Sequence, residues 1–146
     1  MPITYTNHFN SLIDDIVAFL RTEFDQSVAI LKGDAEPIPN QPMIIIEPLD
    51  KLTDSEASSG QKMMTFQVAF SCTLWDGNIE NGVVQITDLA EHLEQLLLNN
   101  KKYPDNSGAS WLNSFPGRTE YGIRNQGGHF LKASRLVWTA EKWGNR

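Results

Sequence analysis

The chain has 146 residues, of which 40% are hydrophobic and 21% charged; this is enough for a single domain with one core, and no apolar run approaches a membrane span. A formal net charge of −6 argues against a protein that grips duplex nucleic acid by neutralising phosphates, because such proteins carry a basic footprint. The single cysteine, Cys72, excludes an intrachain disulfide and makes a reducing interior the default, and MPITYTNHFN lacks the basic-then-apolar pattern of a secretory signal.

Residues Phe9 to Phe24 predict the first helix. Phe9, Leu12, Ile13, Ile16, Val17, Leu20 and Phe24 recur at helical spacing and form one stripe, which a sheet would bury. Thr6 and Asn7 are candidate N-caps, and Asp14 and Asp15 sit in the early turns, where the helix dipole favours negative charge. Ser27 to Lys32 reads as a short strand ended by Gly33-Asp34. Glu36 to Pro42 has three prolines in seven residues and reads as an extended connector. The run Met43 to Glu47 predicts a strand covered on both faces and stopped by Pro48. Leu49 to Gln61 is polar and small-residue rich, so it reads as an exposed loop and a candidate contact element.

The next stretch, Lys62 to Asp76, alternates almost without fault. Met64, Phe66, Val68, Phe70, Cys72 and Leu74 share one face; Met63, Thr65, Gln67, Ala69, Ser71, Thr73 and Trp75 share the other. At about 3.3 Å per residue this strand would run roughly 45–50 Å, and its hairpin could reach past the body of the domain. Asp76 or Asn78 caps a second helix, Ile79 to Asn99, with Val83, Ile86, Ala90, Leu93 and Leu97 inward and Glu80, Asp88, Glu91 and Glu94 outward. Lys101-Lys102 follows, as expected beyond a helix C-terminus. Tyr103 to Gly108 is turn-rich. Ser110 to Phe115 predicts a short strand cut by Pro116-Gly117, and Arg118 to Asn125 another. After a turn at Gln126-Gly127-Gly128, His129 to Trp143 is the last strand. A bulge near Ser134-Arg135 would bring Leu131, Ala133, Leu136 and Trp138 to one face. The two long strands are expected to pair at the sheet centre. The fold class is therefore α+β: a mostly antiparallel sheet, two main helices on one face, and a long hairpin or extended loop, in one domain spanning residues 1–146.

Signatures of chemistry are missing from the sequence. There is no GxxxxGK[ST], no glycine triplet between strand and helix, no HExxH and no GxSxG. His8, His92 and His129 are isolated in sequence, and Cys72 sits on the apolar face of a strand. No catalytic, cofactor-binding or metal-binding residue is expected, and the chain reads as a non-enzyme with no cofactor. Aromatic residues point elsewhere. Trp75, Trp111, Phe115 and Trp143, with Arg118, are the interface candidates, since Trp and Arg are favoured anchors of protein interfaces. The competing reading, in which tryptophans close the ends of the core, stays open for Trp111, Trp138 and Trp143.

The whole-chain order also carries a resemblance. An amphipathic helix, SVAIL, a Pro-rich connector, MIIIEP, FQVAFSCTLWD, a long helix and a closing LVWTAEKW follow one another. In this order and character the chain resembles the tail-terminator (tail-completion, minor tail protein U-like) proteins of long-tailed bacteriophages. The resemblance implies a structural virion protein of the tail or neck, assembled in the host cytoplasm. It implies a homo-oligomeric ring, commonly a hexamer, that caps the tail-tube protein and offers a surface to the head connector or stopper protein. DNA would pass through the lumen without specific binding, a role an acidic chain suits, and no membrane is involved. Another head–tail joint or baseplate assembly protein is the alternative, followed by a small-ligand-binding domain. The face with Thr65, Gln67, Ser71, Thr73 and Trp75 would line the lumen or meet a partner, and both options stay open.

Overall fold

Alternation in the long strand organises the sheet. The computed structural model describes residues 6–24, 27–33, 41–54, 61–75, 78–104, 110–126 and 129–145. They form α1 (His8–Glu23), β1 (Ala29–Lys32), β2 (Met43–Asp54), β3 (Gln61–Leu74), α2 (Ile79–Asn99), β4 (Asn113–Gln126) and β5 (His129–Asn145). The five strands lie in the order β1-β2-β3-β5-β4. β1 runs parallel to β2, and every other pairing is antiparallel. This is the expected α+β class, with β3 and β5 paired at the centre from Gln61↔Asn145 to Leu74↔Lys132.

Even-numbered residues of β3 carry the core. Met64, Phe66, Val68, Phe70, Cys72 and Leu74 are each 3% exposed or less, and they join the inward stripes of both helices in one apolar cluster. α1 packs on β1 and β2, and α2 on β3, β4 and β5. Both helices start on an asparagine: Asn7 Oδ1 accepts from the Asn10 amide at 3.0 Å and Asn78 Oδ1 from the Asn81 amide at 3.2 Å, each satisfying a donor the first turn leaves open. Asn7 thus takes the role shared between it and Thr6, and Asp76 lies outside the described residues. Ile44 and Ile46 join the helix-side core while Met43 and Ile45 are buried on the opposite face, so this segment of β2 is covered on both sides as expected.

Five expectations need correction. Pro48 does not stop the strand. It pairs with Val68 beyond the end of β1, where its missing N–H removes no bond of the β1 ladder, and Leu49 is absorbed as a bulge before Asp50↔Gln67. Residues 49–54 are therefore strand rather than loop; residues 55–60 lie outside the described residues. Pro116-Gly117 likewise leaves β4 a single strand, because Gly117 and Arg118 together face only Val137. The bulge thus falls in β4, and β5 keeps a continuous register with β3. Ser134, Leu136, Trp138 and Ala140 face the helices, while Ala133 faces away with Leu131. Finally, Val83 is 46% exposed rather than inward.

Candidate assembly surface

The sheet face turned away from the helices carries the odd-numbered residues of β3. Across it run rows fixed by register. Asp50, Gln67, Thr139 and Phe115 form one row, Leu52, Thr65, Glu141 and Asn113 the next, and Met63 with Trp143 the one beyond. Near β1 this face is closed: Met43, Ile45, Ala69 and Thr73 are each 2% exposed or less. Towards the β2–β3 hairpin it opens, with Leu52 69%, Phe115 50% and Trp143 44% exposed. Among the described side chains of this face, Glu47, Asp50, Glu120 and Glu141 outnumber Arg118 and Arg135.

The five sequence candidates do not form one site. Phe115 and Trp143 fall within three successive rows. Trp75, also exposed, follows the other end of β3, about 40 Å from the Met63 row at 3.3 Å per residue. Arg118 projects from the β4 bulge and donates to Glu120 Oε1 at 2.9 Å, an exposed ion pair of the kind that contributes little stability. Trp111 is a correction. It is fully buried, its Nε1 donates to the Asn100 carbonyl at 2.8 Å, and its ring stacks on Tyr103 and meets Trp138 edge-on, both at 5.1 Å. It anchors the segment after α2 to the core and offers no surface to a partner. Trp138 is buried as well.

Several exposed apolar residues were missed. Leu52 lies in the segment read as loop. Tyr121 and Ile123, 49% and 65% exposed, lie on the helix side of edge strand β4. Partial burial, then Glu91 and Glu94 of α2, push the Tyr121 hydroxyl above its ordinary value. The alternation in TEYGI was the available signal for that pair, and nothing local marked Leu52. Between Glu120 and Arg135 the open face dips into a shallow groove of about 270 Å³ over Ser71, Thr73, Gly122 and Ala133, its small side chains leaving the space. Thr73 Oγ1 is buried there without a hydrogen-bond partner.

The single thiol is held inert. Burial pushes the Cys72 thiol up to about 12, against a smaller lowering by a hydrogen bond with Ser134, so no thiolate forms near neutrality. Partial burial, with Lys62 adding to it, lowers the Lys51 ammonium, which lies 5.7 Å from the centre of the Phe66 ring. His92 packs its ring 4.5 Å from Phe24. Among the described residues no group of three or more His, Cys, Asp or Glu side chains could hold a metal, and no helix is long and apolar enough to cross a membrane.

No protein-family model matches the sequence, and no curated protein matches it either. Among solved structures the chain is similar to the PVC sheath/tube terminator of an extracellular contractile injection system, determined by cryo-electron microscopy in the extended state. The identity is 15% and the TM-score 0.48, with 100% of this chain covered and 59% of that one. The chain therefore spans about three fifths of the terminator's length.

Proposed function

We propose that this chain is a structural protein of a long-tailed phage particle, a tail terminator that closes into a hexameric ring, caps the tail tube and joins it to the head connector. One observation carries this reading. The mostly polar sheet face, closed near β1 and open towards the β2–β3 hairpin, carries the exposed aromatics Phe115 and Trp143 at its open end, and the exposed Trp75 stands just past the opposite end of β3. A terminator has two different neighbours along its axis, and a molecule with two apolar ends meets that need. The carboxylates at the open end of this face, Asp50 and Glu141, suit a lumen through which DNA slides, since like charge keeps the duplex from adhering. The order of elements, which resembles the tail-terminator family, supports the same reading. The proposed role calls for no catalytic residue, cofactor or membrane contact, and belongs to the virion neck.

The test is tube capping. Tail-tube protein from the same particle is polymerised with and without this chain, and tube lengths are measured by electron microscopy. The expected result is short, closed tubes carrying a ring at one end. Tubes that lengthen unchanged in the presence of excess chain sink the reading. Binding to a neck or baseplate protein without capping would move the chain to the alternative assembly role.

A further inference from the structure

Between α1 and α2, on the helix side of the sheet, lies a cleft of about 370 Å³. Phe24, Leu74 and Leu89 give it an apolar floor, and the exposed carboxylates of Glu23 and Asp88 stand on its rim. α2 carries Glu80, Asp88, Glu91 and Glu94 and no Lys or Arg along Ile79–Asn99; its one histidine, His92, also lines the cleft. Directly beyond its end the sign reverses. Lys101 and Lys102 are exposed, beside Leu98, which is 39% exposed. Among the described residues none of Glu23, Asp88, Lys101 and Lys102 is in an ion pair.

We infer that the cleft receives the Leu98, Lys101 and Lys102 corner of a second copy of this chain. The match is of two kinds. An apolar side chain meets an apolar floor, and two ammonium groups meet two carboxylates that form no ion pair among the described residues. The corner cannot fold back into its own cleft. Thirteen residues separate Asp88 from Lys101, about 20 Å at 1.5 Å per helical residue. The two surfaces differ, so the contact is heterologous: each copy offers a cleft to one neighbour and a corner to the other, an arrangement that closes into a ring when the rotation allows. The inference deepens the ring part of the proposed function and rests on it.

Charge reversal tests it. The wild-type chain, Glu23→Lys/Asp88→Lys and Lys101→Glu/Lys102→Glu are compared by light scattering over a concentration series, with circular dichroism confirming that each is folded. Wild type is expected to self-associate, and more weakly as salt rises, because exposed charges are screened. Each double variant alone should associate at least about tenfold more weakly, since like charges then face each other. Mixing the two variants in equal amounts should restore assembly, because each reversed surface then meets its complement. Two results overturn the inference: association unchanged in either variant, or a mixture that stays dissociated. A wild-type chain that remains monomeric throughout also overturns it. Capping of tail tubes is measured separately with the tube protein, so a cleft contact that fails while capping persists removes this contact and leaves the terminator reading standing.

Discussion

Trp111 and Cys72 show what a single residue discloses in sequence and what it conceals. Cys72 sits in an unbroken period-two pattern, so its burial could be read from its neighbours, and it is 1% exposed. Trp111 sits in an irregular segment with no period to say which way it points, and only the long-range contacts with Tyr103, Trp138 and Asn100 place it inside. Trp111→Ala is therefore expected to cost about 3–5 kcal/mol of stability, the range for a buried aromatic, with the indole's hydrogen bond lost as well. Denaturant unfolding measures it; a loss under 1 kcal/mol would return Trp111 to the surface. Cys72 gives a pH prediction. Its folded value of about 12 lies above the ordinary 9.0, so the folded chain holds this proton over a window in which the unfolded chain has released it. Stability from this group is full below pH 9 and falls as pH rises towards 12. Measured as the difference between wild type and Cys72→Ala, which cancels the other titrating groups, the wild-type advantage should shrink across that window. A constant difference would show that the thiol titrates alike in both states.

At the scale of elements, the two helices and the pairing of the two long strands were legible because each has a strong period and a buried face. Breaks were not. Pro48 and Pro116-Gly117 look like strand ends locally, yet pairing continues past both, because an extra residue on one strand lets the register recover. Whether a proline ends a strand depends on what lies beside it. β1 has already finished when Pro48 arrives, and β4 is an edge, so neither position needs a donor on its open side. The β4 bulge depends on glycine for a different reason. A Cβ at Gly117 would stand 2.9 Å from the Val137 carbonyl oxygen, a backbone atom that cannot rotate away. Gly117→Ala is expected to destabilise the chain by about 1–3 kcal/mol, the usual range for overpacking. It should also loosen β4 selectively. Hydrogen exchange should speed up along Thr119–Ile123 while β3 amides paired with β2 stay protected. Equal acceleration across the sheet would mean that the bulge is not a local device.

For the whole molecule, the candidate site became readable only once register was known. Sequence supplied Phe115, Trp143 and Trp75 as exposed aromatics, but which of them share an end depends on pairing between residues far apart in the chain, Met63 with Trp143 and Phe115 with Thr139. That pairing divides them into two groups, with Phe115 about 26 Å and Trp143 about 40 Å from Trp75 along the strand direction, and the division predicts separable losses. Trp and Phe side chains that anchor an interface typically account for 2 kcal/mol or more, roughly thirtyfold in affinity. Phe115→Ala/Trp143→Ala should abolish one of the two axial contacts, tube capping or binding to the head connector, and Trp75→Ala should abolish the other. All three residues are partly exposed, at 50%, 44% and 42%, so melting temperatures should move by only a few degrees. Tube length by electron microscopy and connector binding by sedimentation then form a two-by-two comparison. The two-ended arrangement requires one loss in each row and in each column. Variants that fail in the same assay would place both aromatic groups on one partner, and variants that fail in neither would make these aromatics bystanders. In either case the axial docking would have to be sought elsewhere, beginning with Tyr121 and Ile123 on the outer edge of β4.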